Sequence, residues 1–284
     1  FGGSGCVTLN LQTPRGVLRI YNDLDRNLYN MMYCVREKPV SVITELKYMQ
    51  NSREEFETML RTLKDKDFAG KNLAEELELT QISFPPTQAE EISAMLMQRA
   101  IPPDARRAAM FFLLHNLSYN GLGTEFAALD RDWDRFEHQI TGCARILQHI
   151  PMENRSYKEI LSKYDATDTV FYCDPPYLGA EKYGVPFYRS DHQELHDTLA
   201  ARKGFVIVSY NKKDEIKELY KDFFIFEVDR PNSMSKKKED RYEEYIMTNY
   251  DPAVFAPQIS FFNNYDNGKK ACTLIHAPKY PLKT

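Results

Sequence analysis

Asp174-Pro175-Pro176-Tyr177 follows directly on residues 169–173 (TVFYC), an apolar, aromatic and β-branched run. A run of that kind reads as a buried parallel strand. Two successive prolines fix two φ angles and remove two backbone donors, and each pushes the residue before it toward extended geometry. The resulting loop is stiff and holds out two acceptors, a carboxylate oxygen of Asp174 and a backbone carbonyl. Together they suit a single NH₂ group, with both hydrogens held and the lone pair aimed outward. Tyr177 comes next and offers a flat face for stacking. The competing reading is a plain strand-ending turn, which is how Pro85-Pro86 and Pro102-Pro103 are read.

Two weaker features accompany it. Phe1-Gly2-Gly3-Ser4-Gly5 is a glycine turn that lets backbone approach a ligand and adopt positive φ, and a helix is expected to begin behind it. Asp23 lies 18 residues after Gly5, at the end of residues 17–21 (VLRIY), which read as a short strand. An acidic residue at that distance from a glycine turn is placed to accept from ribose hydroxyls. Asp is equally at home as a helix N-cap.

The elements that must position these residues come next. Residues 24–36, 105–117, 132–149, 191–201 and 215–220 read as helices, and 205–210 (FVIVSY) as a second buried strand. Residues 223–228 and 242–249 read as an antiparallel hairpin. Residues 51–115 carry helix formers and charges without strand alternation, and 118–131 form a glycine-containing loop. Strand and helix alternating, then closing in a hairpin, predict an α/β protein: a doubly wound, mostly parallel Rossmann-like sheet with a smaller helical domain. Ligands of such sheets sit beyond the carboxyl ends of the strands.

Composition narrows the classes. The 284 residues are 43% apolar and 27% charged, which is ordinary for a globular protein. No apolar run approaches the roughly 18 residues of a membrane span, and no secretory signal is visible. Cys6, Cys34, Cys143, Cys173 and Cys272 make no CxxC pair and read as free thiols of a reducing compartment. A net charge of −4 requires any nucleic-acid surface to gather its basic residues on one face. His192 and His196 share a helical face at i, i+4 spacing; without an HExxH pattern this reads as a solvated face, and no metal site is expected.

Taken together, FGGSG at 1–5, ND at 22–23, FFLLHNLSYNGLG at 111–123, VFYCDPPY at 170–177, FVIVSYN at 205–211 and YEEYIMTNY at 242–250 resemble the Dam-type DNA adenine N6-methyltransferases. The order of motifs also fits. The resemblance implies a catalytic domain of residues 1–48 and 140–250, a target-recognition insert of 49–139, and a C-terminal extension of 251–284 without a counterpart. It implies S-adenosylmethionine as cofactor, S-adenosylhomocysteine as product, double-stranded DNA as partner, and a bacterial or phage-encoded protein acting on DNA in the cytoplasm.

By position, Phe1, Gly3, Ser4 and Gly5 would line the cofactor pocket and Asp23 would hold the ribose. Ser156 and Tyr157 match loosely the place where the family meets the cofactor's adenine. Asp174 and the Pro175 carbonyl, with Pro176 stiffening the loop, would grip the target amine, and Tyr177 would stack on an extruded adenine. Tyr119, Asn120 and Gly121 would face DNA, as would Ser233, Ser235, Lys236, Lys237 and Arg241 on the hairpin. The family's strand and lysine-containing stretch ahead of the glycine motif have no counterpart in these residues.

Other acceptors on the same fold, cytosine N4, RNA adenine or a protein amide, stay open, though Asp at 174 favours adenine over the alternatives. So does a catalytically silent DNA-binding subunit. A dinucleotide oxidoreductase fails because FGGSG is not GxGxxG.

Overall fold

The computed structural model describes residues 1–64, 73–100, 103–121, 123–127, 132–179, 187–231, 241–255, 265–266, 269–270, 272–279 and 282. The chain divides by packing into two units, Gly3–Asn154 and Phe1–Gly2 with Arg155–Thr284.

The first unit is helical. It contains α1 (Cys6–Asn10), β1 (Tyr21–Asn22), α2 (Arg26–Glu37), α3 (Pro39–Tyr48), α4 (Arg53–Lys64), α5 (Leu73–Ser83), α6 (Pro86–Ala100), α7 (Ala105–Asn116), α8 (Trp133–Leu147) and β2 (Met152–Glu153). Apolar residues at helical spacing on α7, among them Ala109, Met110, Leu113 and Leu114, are buried against Met32 and Val35 of α2, Val42 and Leu46 of α3, and Ile140 of α8. One polar clamp joins α2 to the start of α7. The Asn30 amide donates to the Asp104 carbonyl at 2.9 Å and accepts from the Asp104 N–H at 2.8 Å. Asp104 in turn caps α7 through the Arg107 N–H at 3.0 Å.

The strand expected over 17–21 is shorter than its composition suggests. Only Tyr21 and Asn22 pair, in parallel, with Met152 and Glu153. The partner offers two residues, so 17–20 find no ladder. Instead the Arg19 guanidinium donates to the Thr8 and Leu11 carbonyls at 3.1 and 2.8 Å, tying this segment to α1, and Val17 and Leu18 stay exposed.

The second unit carries the sheet. Its elements are α9 (Tyr157–Lys163), β3 (Val170–Cys173), α10 (Arg189–Ala200), β4 (Phe205–Asn211), α11 (Asp214–Leu219), β5 (Phe224–Pro231), β6 (Arg241–Thr248), α12 (Pro252–Phe255), β7 (Tyr265–Asp266), β8 (Lys269–Lys270) and β9 (Cys272–His276). Five strands run in the order β3-β4-β6-β5-β9. The expected hairpin is present as β5/β6. The parallel character is less than expected: β3/β4 is parallel, while β4/β6, β5/β6 and β5/β9 are antiparallel. The cause is the hairpin, whose second strand inserts between β4 and β5, together with β9, which lies along the outer edge of β5. The segment after residue 250 therefore contributes a strand. The result is a mixed α/β protein with a mixed sheet.

The β3/β4 pairing that positions Asp174 is fixed by buried polar groups. Asn249, 1% exposed, accepts from the Val206 N–H at 2.8 Å and donates to the Gly204 carbonyl at 3.2 Å. Asp165 accepts from the Lys203 and Gly204 N–H groups. Gly204 is needed for space: a Cβ there would lie 2.8 Å from the Thr169 carbonyl and 2.9 Å from the Phe171 ring. Beneath, Leu195 and Leu199 of α10 pack on Val206, Val208 and Tyr210 of β4.

Candidate active site

Asp174 is the first residue past β3, and β4 runs beside it in parallel with Cys173 opposite Val208. That register brings Ser209 alongside. Its hydroxyl donates to Asp174 Oδ1 at 2.8 Å and lies 3.3 Å from the Cys173 carbonyl. Ser209 is 3% exposed, whereas Asp174 is exposed, Pro175 buried, and Pro176 and Tyr177 half-buried. The carboxylate is therefore anchored from inside by one oxygen and reaches outward from a stiff corner. Crowding by protein raises its proton affinity above the ordinary aspartate range. The Ser209 bond opposes this, the negative charge of Glu244 adds to it, and the Tyr177 hydroxyl opposes it.

Tyr177 is held at both ends. Its ring leans on Tyr210 of β4, centroids 6.1 Å apart at 33°, and its hydroxyl donates to Glu244 Oε1 of β6 at 2.7 Å. Tyr210 is itself buried and bonded to His192 Nδ1 at 2.8 Å. The loop is closed by Asn211, whose amide donates to the Leu178 carbonyl at 3.3 Å. Phe1 stacks on Tyr157, 5.3 Å apart at 23°, and meets Phe187 edge-on. With Phe1 and Tyr157 packed on one another, no third flat ring fits between them. Ser156 caps α9: its hydroxyl and N–H both donate to Glu159 Oε2, at 2.9 and 3.0 Å.

In the helical unit the glycine turn is built as the sequence suggests. Gly3 and Gly5 have φ of 52° and 71°, Ser4 is exposed, and a Cβ on Gly5 would press on Met32 at 3.2 Å. Asp23 Oδ2 accepts from the Gly3 N–H at 2.9 Å and Oδ1 from the Asp25 N–H at 2.8 Å. The buried Tyr21 donates its hydroxyl to the Gly3 carbonyl at 2.7 Å. Asp23 thus shapes the turn as well as standing beside it. Tyr119–Gly121 form a 3₁₀ turn with Tyr119 59% exposed and Gly121 at φ 69°. The turn is closed by the Tyr119 N–H on the Glu125 carbonyl.

The model of the D12 class N6 adenine-specific DNA methyltransferase family matches residues 1–234, from the glycine turn through the DPPY corner and both parallel strands. The chain belongs to this family. It is an enzyme, an N6 adenine-specific DNA methyltransferase. No curated protein matches the chain.

For several residues proposed from the motifs of this methyltransferase the structure describes no side chain. Ser233, Ser235, Lys236 and Lys237 lie outside the described residues, and Asn120 and Arg241 are described by backbone alone. The His192/His196 face, expected to be solvated, points inward. His192 is 3% exposed, and His196 bridges Asp197 and Asp222 at 2.9 and 2.8 Å. Among the described residues no group of His, Cys, Asp and Glu could hold a metal, and no helix is long and apolar enough to cross a membrane. All five thiols are free.

Sequence reasoning passed over two residues of the Asp174 corner. Ser209 sits inside the FVIVSYN strand, where a lone hydroxyl amid β-branched residues was a usable signal. Glu244 sits in YEEYIM, where strand alternation turns one of two adjacent carboxylates inward. It lies beyond the matched region.

The residues fit a nucleoside sulfonium cofactor in one testable respect. The Tyr157 hydroxyl is buried without a hydrogen-bond partner among the described residues, and a polar ligand group satisfies such an orphan. Burial pushes its phenol up to about 12, with Glu194 and Asp191 adding to the effect.

Proposed function

We propose that the chain methylates N6 of an adenine extruded from double-stranded DNA, with S-adenosylmethionine as donor. The observation that carries this reading is the Ser209–Asp174 bond, which holds one carboxylate oxygen in place at the first residue past β3.

The target amine is a weak nucleophile because its lone pair is delocalised into the purine. Hydrogen bonds from its two hydrogens to Asp174 and to the Pro175 carbonyl favour the pyramidal nitrogen of the transition state. S-adenosylmethionine, when bound, would supply an electrophilic methyl group on a sulfonium, the N6–C bond forming as the S–C bond breaks, with S-adenosylhomocysteine as the leaving group. Asp174 already bonds the surplus N6 proton and, with its raised proton affinity, takes it and passes it to water. Extruding the base costs a few kcal/mol, and stacking on Tyr177 returns about 1–3 kcal/mol of it.

Cofactor contacts are assigned to Phe1, Gly3, Ser4, Gly5, Asp23, Ser156 and Tyr157. With the Ser156 hydroxyl engaged in its cap, Tyr157 is the stronger of that pair. Asp23 is assigned to the ribose hydroxyls. Residues 49–139 are assigned to target recognition, with Tyr119, Asn120 and Gly121 facing DNA. Ser233, Ser235, Lys236, Lys237 and Arg241 contact phosphates, and the sheet is the Rossmann-like methyltransferase sheet. Radiolabelled methyl transfer to defined duplexes, followed by digestion to nucleosides, tests the reading. Label in N6-methyladenosine supports it, and label in N4-methylcytosine or none in DNA refutes it.

A further inference from the structure

Glu244 is a buried carboxylate on β6, fixed by its neighbours on both sides: Asn211 of β4 and Val228 of β5 stand opposite it. Burying a carboxylate is costly unless donors meet it. Here the Tyr177 hydroxyl is one such donor, at 2.7 Å. That bond and the lean of the ring on Tyr210 constrain Tyr177 at two points. A ring so constrained presents one face before any base arrives, so less freedom is lost when a base stacks. A neutral acceptor would serve that purpose as well. The negative charge has a second effect, because Glu244 also stands close enough to Asp174 to oppose its ionisation.

We infer that Glu244 is a positioning residue for the methyl-transfer corner: it fixes the Tyr177 ring through the phenol hydroxyl. This rests on the reading of the corner as the adenine site. Among the described residues, the groups that face Asp174 are Ser209 from β4, Glu244 from β6 and Tyr177 from its own loop, with Tyr172 and Cys173 on β3 behind it.

The test is steady-state methylation of a duplex by the full chain and by Y177F, E244A, E244Q and the Y177F/E244A pair. Y177F and E244A are each expected to raise the KM for DNA about tenfold, with a smaller change in the KM for the methyl donor. The double variant should be no worse than the poorer single one, because both remove the same bond. E244Q keeps an acceptor for the phenol and should recover most of the loss seen in E244A. It removes the charge, so the acid limb of its pH profile should move to lower pH. Additive losses, or Y177F and E244A with unaltered KM for DNA, would overturn the inference while leaving the functional reading standing. A wild-type chain that transfers no methyl group to DNA would overturn both. Should E244A fail to fold, Y177F and the pH profile of E244Q carry the test.

Discussion

Ser209 Oγ lies 2.8 Å from Asp174 Oδ1, and the two residues belong to adjacent parallel strands, one at the end of β3 and the other inside β4. The Asp174 carboxylate is thus oriented from within the sheet, and the orientation depends on strand register. A shift of one residue would replace the hydroxyl with Val208 or Tyr210.

Ser209→Ala removes that anchor. A hydrogen bond to a charged group contributes ~1.5–3 kcal/mol, so kcat should fall roughly tenfold to a hundredfold. Binding of the methyl donor, followed by calorimetry, should change little. Equal losses in both would mean that Ser209 supports the fold and not the carboxylate.

Asp174 carries a cost in stability. Its proton affinity is raised in the fold, first by the protein crowded around an otherwise solvent-facing carboxylate. The sign follows from linkage: ionised Asp174 disfavours the folded state, and this penalty grows as pH rises through the unfolded and then the folded pKa. Asp174→Asn should therefore have a Tm at pH 7 equal to or above that of the wild type, with methylation lost. A clear drop in Tm would show that the carboxylate contributes to folding.

His196 has the opposite sign. Burial disfavours its protonated form, but bonds to Asp222 and Asp197 outweigh this and raise its proton affinity above the ordinary value of 6.5. The stabilisation is fully present below that value and is lost as pH rises through the higher folded one. The Tm gap between wild type and His196→Asn should be wider at pH 5.5 than at pH 8.5. A gap independent of pH would show that the ring acts by packing on Tyr220 and Phe223 alone.

Gly204→Ala tests the device that sets the register. The added methyl would stand 2.8 Å from backbone, which cannot swing aside as a side chain would. Overpacking of this kind costs ~1–3 kcal/mol, so thermal denaturation should show a lowered Tm with DNA methylation reduced in parallel. An unchanged Tm would mean that the β3/β4 entrance yields easily.

The parts of the chain legible from sequence were those governed by local chemistry. FVIVSY announced a buried strand and the FGGSG turn its positive φ at Gly3 and Gly5; TVFYC announced a strand, but as the sheet's edge it buries only Phe171 and Cys173 and leaves Val170 and Tyr172 exposed. What stayed hidden depended on partners distant in sequence. The VLRIY run has strand composition but meets only a two-residue partner. His192 and His196 are polar, yet Tyr210, Asp222 and Asp197 satisfy them inside. Strand β9 adds to an edge that only the completed hairpin creates. Glu244 joins the corner because β6 crosses beside β4, a pairing over more than thirty residues that no local pattern encodes.

The central claim is that Asp174 holds the amine that is methylated. The most direct measurement is to express the wild-type chain and Asp174→Ala in a host without adenine methylation and to sequence the host DNA for modified bases. The account predicts N6-methyladenine at a recurring sequence with the wild type and none with Asp174→Ala, at equal protein levels. Methylation that persists in Asp174→Ala would contradict it.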